Sequence, residues 1–157
     1  MGYRSQVRSL IYGDPDKLQA LVTKHMLEGG MAFADKSGLR RYRMTRKVYT
    51  ATDDHDGRAY EWVDHEVEVL DLYGDDWKWY PDYPDVQEWE RLLADAPEFD
   101  LSTEFVRIGE ETEDIEQSSH IADDGDSYLG ISRQIADDLP AEVTEIEDVT
   151  GGEKSHG

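Results

Sequence analysis

The chain has 157 residues and no cysteine, which suits one domain with its own core and excludes disulfide frameworks and thiolate chemistry. Its formal net charge is −21, and no apolar run is long enough to span a bilayer. The first residues lack the apolar stretch of a signal peptide, so an intracellular protein is expected.

The charge is unevenly distributed along the chain. Residues 1–48 hold ten basic and four acidic side chains, whereas residues 49–157 hold six basic and thirty-three acidic ones. Such asymmetry bears on partners and solubility rather than on fold. Three interpretations stay open: adaptation to high salt, plain solubility, or a folded acidic surface that imitates nucleic-acid phosphates.

The first elements in chain order are a strand and a helix. Residues 3–13 alternate as a strand does. A helix is predicted next, with Asp14 as its N-cap and Pro15 as its first residue. It should end at the pair Gly29-Gly30. The apolar stripe of that helix consists of Leu18, Leu21, Val22 and Met26.

Residues 38–74 predict β-structure interrupted by the turn-rich "DDHDG". The basic run in "GLRRYRMTRK" could contact phosphate, or it could pair its charges with the acidic strand "HEVEVLD". Alternation splits the basic side chains between two faces, which favours the pairing within the molecule.

The second half predicts another helix and two more strands. "YPDYPDVQEWERLLADAP" reads as a helix with Asp85 or Asp82 as its N-cap. "LSTEFVRIGEE" and "SYLGISRQI" read as antiparallel partners joined by an acidic connection. Within the first of these strands, Arg107 is expected to pair with a local acid such as Glu104.

The order β-α-β-β-α-β-β predicts an α+β fold. Its antiparallel or mixed sheet would carry both helices on one face, and the ferredoxin-like arrangement is the nearest common form. Residues 1–136 are expected to form this single domain. Residues 137–157 are rich in Gly, Pro and acids, which predicts a mobile acidic tail.

The stretch "DDWKWYPDYPDV" at residues 75–86 concentrates aromatic side chains in an acidic setting. A corner of the core is the favoured interpretation. The alternative is that Trp77, Tyr80 and Tyr83 stay exposed as interface anchors. Base stacking ranks third, because it needs nearby positive charge and the flanking residues are acidic.

A second candidate binding feature is a dense acidic series in the C-terminal half. Duplex DNA carries one charge per about 1.7 Å of its axis, and a rigid array of carboxylates can approach that density. A solvated loop is the alternative, because mimicry needs these acids ordered on one face with those of the second helix. The series consists of Glu110, Glu111, Glu113, Asp114, Glu116, Asp123 and Asp124.

Metal and catalytic motifs are weak. A site built from His55, His65 and nearby aspartates is conceivable, but the spacing matches no zinc pattern. "DDHDG" and "ADDGD" do not complete a calcium loop and are better explained as turns. Neither a P-loop nor a nucleophile elbow is present, so we expect no cofactor, no metal and no catalysis.

Four motifs together resemble a group of small phage and prophage proteins that have no assigned activity. They are "GYRSQV", "WKWYPDYPDV", "EFVRIGEETEDIE" and "YLGISRQI", in that order over most of residues 2–135. The resemblance implies a phage accessory protein in the host cytoplasm, away from membranes. It would inhibit a host protein with a basic nucleic-acid-binding groove, such as a CRISPR effector or restriction enzyme, without binding nucleic acid itself. The alternatives are a metal-dependent hydrolase acting on a nucleotide and a self-associating structural phage protein.

Overall fold

A computed structural model describes residues 3–29, 38–51, 60–111, 113–131 and 135–151. Two α-helices, one 3₁₀ helix and eight strands are found in these ranges. In chain order they are β1 (Ser5–Gly13), α1 (Pro15–Leu27), β2 (Leu39–Ala51), β3 (Tyr60–Trp77), α2 (Pro84–Asp95), the 3₁₀ helix (Ala96–Phe99), β4 (Ser102–Ile108), β5 (Ile115–His120), β6 (Leu129–Ile131), β7 (Ile135–Asp137) and β8 (Thr144–Ile146).

Six strands form one sheet in the order β5-β4-β1-β3-β2-β8, and β6 pairs with β7 in a second, small sheet. Every pairing among the described residues is antiparallel. The predicted α+β class, with two helices and an antiparallel sheet, is confirmed. The predicted ferredoxin-like order does not match exactly, because β5 and β8 extend the four inner strands at both edges.

The two helices cover the same face of the large sheet, as predicted. α1 begins after Asp14, whose side chain accepts hydrogen bonds from the backbone N–H groups of Asp16 (3.1 Å) and Lys17 (3.2 Å). Full burial of an apolar side chain contributes about 1.5–3 kcal/mol, so this layer supplies much of the folding free energy. Its fully buried members include Val7, Ile11, Leu18, Leu21, Val22, Leu70, Leu72, Val86, Trp89 and Leu92.

Two details of the helices differ from the sequence prediction. Met26 of the predicted stripe is 44% exposed, whereas its neighbour His25 is fully buried. α2 begins at Pro84 with Tyr83 at the N-cap position, so neither Asp82 nor Asp85 caps it. The fixed φ of proline favours the first helical position, which accounts for the start at Pro84.

The opposite face of the sheet is covered by the C-terminal third of the chain. Tyr12, Tyr42, Val69 and Val106 lie on this face, and Leu129 packs over them. Further partly buried contacts come from residues between 121 and 143. The large sheet is therefore the middle of three layers, with apolar side chains buried on both of its faces.

The strand that pairs with β4 is not the predicted one. Residues 115–120 form β5 and pair with β4, although the sequence predicted an acidic connection there. All six side chains of "IEQSSH" are exposed, so this edge strand carries no apolar alternation. The predicted partner, residues 127–135, instead contributes β6 and the first residue of β7 to the small sheet.

Part of the predicted tail belongs to the folded layers. β8 pairs with β2 through Thr144, Glu145 and Ile146, and Leu139 and Val143 pack against the second face. Residues 152–157 lie outside the described residues. The mobility expected for the tail stays a prediction.

β2 and β3 form a long hairpin that continues beyond the rest of the sheet. They pair from Leu39–Leu72 to Ala51–Tyr60, whereas β1 leaves β3 at Glu68. The predicted charge pairing of the basic run with "HEVEVLD" is confirmed for Arg41 and Arg43, whose partners lie at facing or diagonal positions. Arg40 and Arg46 pair elsewhere, with Glu145 and Asp123. The ion pairs are Arg41–Glu68 (2.6 Å), Arg43–Glu66 (3.7 Å) and Lys47–Asp64 (3.0 Å).

Candidate functional site: the acidic end of the sheet

One end of the sheet brings together the start of β1, the end of β3, the loop before α2 and the turn between β4 and β5. Antiparallel pairing requires this convergence, because β1 and β5 start where β3 and β4 end. We call residues 3–4, 74–85, 109–111 and 113–116 the acidic end. It contains two basic side chains and nine acidic ones: Asp75, Asp76, Asp82, Asp85, Glu110, Glu111, Glu113, Asp114 and Glu116.

Tyr3 joins the acidic turn to the aromatic loop. Its hydroxyl donates to Asp114 Oδ2 (2.6 Å) and accepts from the backbone N–H of Glu111 (2.9 Å). Its own backbone N–H donates to the hydroxyl of Tyr80 (2.5 Å). One residue just before β1 therefore contacts two segments that lie far away along the chain.

Arg107 holds the same turn from the helix-covered face of the sheet. Its guanidinium contacts Asp114 Oδ1 and Glu116 Oε1, each at 2.6 Å, and donates to the hydroxyl of Ser5 (3.0 Å). Hydrogen bonds from Arg107 and Tyr3 hold the pKa of Asp114 below its ordinary value. Two acids of this segment, Asp114 and Glu116, are thus tied to the sheet by side-chain contacts.

Arg107 pairs with nearby acids, as predicted, but Glu104, the partner named as an example, is not one of them. Side chains alternate between the two faces of a strand, and these two residues are three positions apart, which places them on opposite faces. Glu104 lies on the opposite face, where it is 2% exposed and accepts from the Tyr12 hydroxyl at 2.7 Å.

The aromatic loop is partly core and partly surface. Trp79 is 8% exposed and belongs to the helix-side core, which confirms a core corner at this residue. Trp77 is half-buried and meets Trp79 edge to face at 5.0 Å. Tyr80 is half-buried and contacts Tyr83, which is 37% exposed.

A cavity of about 420 Å³ opens between the end of β3 and the start of α2. A Cβ at Gly74 would lie 2.3 Å from the Trp77 ring, so the absence of a side chain lets the ring approach the strand. Aromatic faces combined with carboxylates suit a guanidinium or ammonium group. The lining residues are Gly74, Asp75, Asp76, Trp77, Lys78, Tyr83 and Asp85.

The acids predicted from sequence separate into two groups. Glu110, Glu111, Glu113, Asp114 and Glu116 lie at the acidic end beside the predicted aromatic residues. Asp123 and Asp124 follow the other end of β5, about 20 Å away at 3.3 Å per residue.

Asp123 is occupied by an ion pair within the chain. Its carboxylate contacts Arg46 Nη2 at 2.6 Å and Nε at 2.8 Å. Burial opposes ionisation of Asp123, but the hydrogen bonds it accepts outweigh burial and its pKa lies below the ordinary value. It also accepts from the backbone N–H of Gly125 (2.9 Å), which agrees with the predicted turn at "ADDGD".

Of the α2 acids Glu88, Glu90 and Asp95, one lies next to the acidic end and two are paired within the chain. Glu90 is an exposed residue, but partial desolvation of its carboxyl group and the nearby charge of Glu116 raise its pKa. Glu88 contacts Arg91 at 2.9 Å, and Asp95 accepts from His25 Nε2 at 2.8 Å. Glu90 is therefore the α2 acid that adds to the candidate surface.

Sequence reasoning missed Tyr3, the role of Arg107 and the cavity acids. The partners of Tyr3 are 77 to 111 residues away in the chain, so no local pattern signals these contacts. The cavity acids flank the aromatic residues in the sequence, and that adjacency was a usable signal. Asp75, Asp76 and Asp85 belong to the acidic setting that counts against base stacking, and the same charge suits a cationic ligand.

The other sequence hypotheses receive no support from the described residues. Within them, no group of three or more His, Asp or Glu side chains could hold a metal ion. His65 is exposed on β3, and His55 lies outside the described residues. No helix in the described part of the chain has the length and apolarity needed to cross a membrane.

Comparisons with models of protein families, with curated protein sequences and with solved structures find no match to this chain. The geometry of the acidic end is therefore the basis for any functional assignment.

Proposed function

We propose that the chain is a non-catalytic binding protein whose acidic end occupies a basic, nucleic-acid-binding groove on another protein. The observation that carries this proposal is the set of hydrogen bonds from Tyr3 and Arg107. These bonds hold Asp114 and the backbone of Glu111 beside the aromatic loop, so the neighbouring exposed carboxylates project from an anchored segment. Carboxylates on an anchored segment bind a basic groove at a lower ordering cost than those of a flexible acidic loop.

Some carboxylates of the acidic end are bound by groups of the chain itself, and others are exposed to solvent. Asp114 and Glu116 share Arg107, and the Glu110 carboxylate accepts from the backbone N–H of Arg4 (2.8 Å). Glu111 and Glu113 are exposed on the same turn, as are Asp75, Asp76 and Asp82 on the loop. The exposed set would take the positions of phosphates in the groove.

The cavity beside Trp77 supplies an anchor for one basic side chain of the partner. A lysine or arginine that normally contacts phosphate would enter this cavity beside the Trp77 and Tyr83 rings and meet the exposed Asp75 carboxylate. A net charge of −21 would also steer the chain toward a basic groove and make the association rate depend on salt.

The phage resemblance indicates the class of partner. A nuclease of host defence, such as a CRISPR effector or a restriction endonuclease, has the basic groove that the acidic end would fill. The protein would act in the host cytoplasm and compete with nucleic acid for this groove.

The test measures inhibition of DNA cleavage by a panel of purified restriction endonucleases and CRISPR nucleases. The test variant is Glu111→Gln with Glu113→Gln, and the control is Asp138→Asn with Glu142→Gln, which removes the same charge elsewhere. We expect inhibition that duplex DNA relieves, that about 0.5 M NaCl abolishes and that the test variant weakens at least about tenfold. Equal losses in both variants, inhibition insensitive to salt, or no inhibition across the panel would reject the mimicry.

A further inference from the structure

The far part of the β2–β3 hairpin carries an exposed row of aromatic rings. Tyr49, Tyr60 and Trp62 are 43%, 56% and 51% exposed. The ring of Tyr49 stacks on Tyr60 at 5.4 Å and lies 5.1 Å from Trp62. We call these three residues the aromatic ridge. A contiguous apolar patch on a highly charged chain marks an interaction surface.

The strand beside this ridge has an open edge. β1 pairs with β3 only as far as Gly13–Glu68, so residues 60–66 of β3 pair with β2 alone among the described residues. Six of these seven residues are exposed. Within the described ranges, no other strand pairs with their outward backbone N–H and C=O groups, which is the arrangement that admits a further strand.

Charges on an edge strand usually prevent such pairing, but here two of them are balanced within the chain. Asp64 contacts Lys47 at 3.0 Å, and Glu66 contacts Arg43 at 3.7 Å. The remaining side chains that can carry charge on residues 60–66 are Glu61 and His65.

We propose that the occupant of this edge is a second copy of the chain, paired antiparallel through β3 about a two-fold axis at Val63. This register places Glu61 of each copy opposite His65 of the other, where the imidazole can donate to the carboxylate. It also places Trp62 of one copy diagonal to Trp62 of the other, within reach of an aromatic contact. The two ridges then form one continuous aromatic surface, as an isologous interface requires.

The salt dependence of this contact has the opposite sign from that of the acidic end. Two chains of charge −21 repel each other at long range, and salt screens that repulsion. Self-association through β3 should therefore tighten as salt rises, whereas binding to a basic groove weakens. The inference does not rest on the proposed function, and either can fail without the other.

Sedimentation equilibrium of the full chain between about 1 and 300 μM protein, at about 0.05 and 0.5 M NaCl, tests the proposal. We expect the mass to rise with concentration from the 18.0 kDa of one chain to twice that value, at lower concentrations in high salt. A mass of one chain at all concentrations overturns the proposal.

Three variants identify the interface. Val63→Lys places like charges opposite each other at the axis and should abolish dimers, whereas the control Thr45→Lys changes the same hairpin away from the β3 edge. If circular dichroism shows that Val63→Lys unfolds, Trp62→Ser replaces it, because Trp62 is half exposed.

An exchange of charges tests the register itself. His65→Glu alone should weaken dimerisation about fivefold to tenfold, because two symmetry-related carboxylate pairs then face each other. Adding Glu61→His restores opposite partners and should recover the affinity. If neither substitution changes the dimer affinity, the interface lies elsewhere and the proposal is overturned.

Discussion

The carboxylate of Glu104 connects the large sheet to the layer formed by the C-terminal third of the chain. It is 2% exposed and accepts from the Tyr12 hydroxyl (2.7 Å) and from the backbone N–H groups of Tyr128 (2.9 Å) and Leu129 (2.8 Å). Glu104→Ala would leave these three donors without their acceptor.

The expected loss of stability follows from the three hydrogen bonds that Glu104 accepts. A hydrogen bond to a charged group contributes about 1.5–3 kcal/mol, and a buried donor without a partner costs about 1–3 kcal/mol. Tyr128 is only half-buried, so water can replace part of what its N–H loses. We expect Glu104→Ala to lower the free energy of unfolding by about 3–5 kcal/mol. Glu104→Gln should cost about 1–2 kcal/mol, because its carbonyl oxygen can still accept from both backbone N–H groups.

Urea unfolding followed by circular dichroism measures both variants, and the midpoint and slope together give the free energy. Glu98→Ala is the control. Glu98 is exposed on the 3₁₀ helix, so its loss should change stability by no more than about 0.5 kcal/mol. Equal costs for Ala and Gln, or a cost of Glu104→Ala below about 1 kcal/mol, would refute the assignment of Glu104 as the acceptor that joins the layers.

Two further predictions concern pH and the aromatic cavity. The pKa of Asp114 is lowered in the folded state by Arg107 and Tyr3, so its stabilising contribution is complete above the unfolded value of about 3.9 and is lost as pH falls through the lower folded value. The urea concentration at the unfolding midpoint should therefore decrease as the pH is lowered below about 4. This decrease should be smaller in Asp114→Asn, and identical pH profiles for the two proteins would contradict the prediction. Gly74→Ala should displace the Trp77 ring and cost about 1–3 kcal/mol, because its Cβ would lie 2.3 Å from that ring. Near-ultraviolet circular dichroism detects the displaced indole, and an unchanged spectrum with unchanged stability would contradict the packing.

Local signals in the sequence predicted the elements that local chemistry determines. The start of α1 was predicted because Asp14 caps it and Pro15 fits its first position. The charge pairing on the β2–β3 hairpin was predicted because facing strands alternate in opposite charges. By contrast, β5 is an edge strand without apolar side chains on alternate positions, so its pairing with β4 left no pattern to find.

In the candidate site, too, short segments can be recognised from the sequence, whereas the contacts that join them cannot. The aromatic loop and the acidic turn were each visible as short stretches of unusual composition. Their adjacency depends on Tyr3, a single residue whose partners are distant in sequence. Asp123 and Asp124 were grouped with the turn because they follow it closely in the chain, but the length of β5 separates them in space.

The position of β1 in the middle of the sheet has a consequence for how the chain folds as it is made. This first strand lies between β3 and β4, so one of its edges stays open until Trp77 has been synthesised and the other until Ile108 has been. The contacts of Arg8 with Asp137 and of Arg40 with Glu145 span 129 and 105 residues. Sheet closure must therefore wait for most of the polypeptide to leave the ribosome, and such long-range pairing is intrinsically slow. The acidic composition would keep the waiting chain dispersed during that interval.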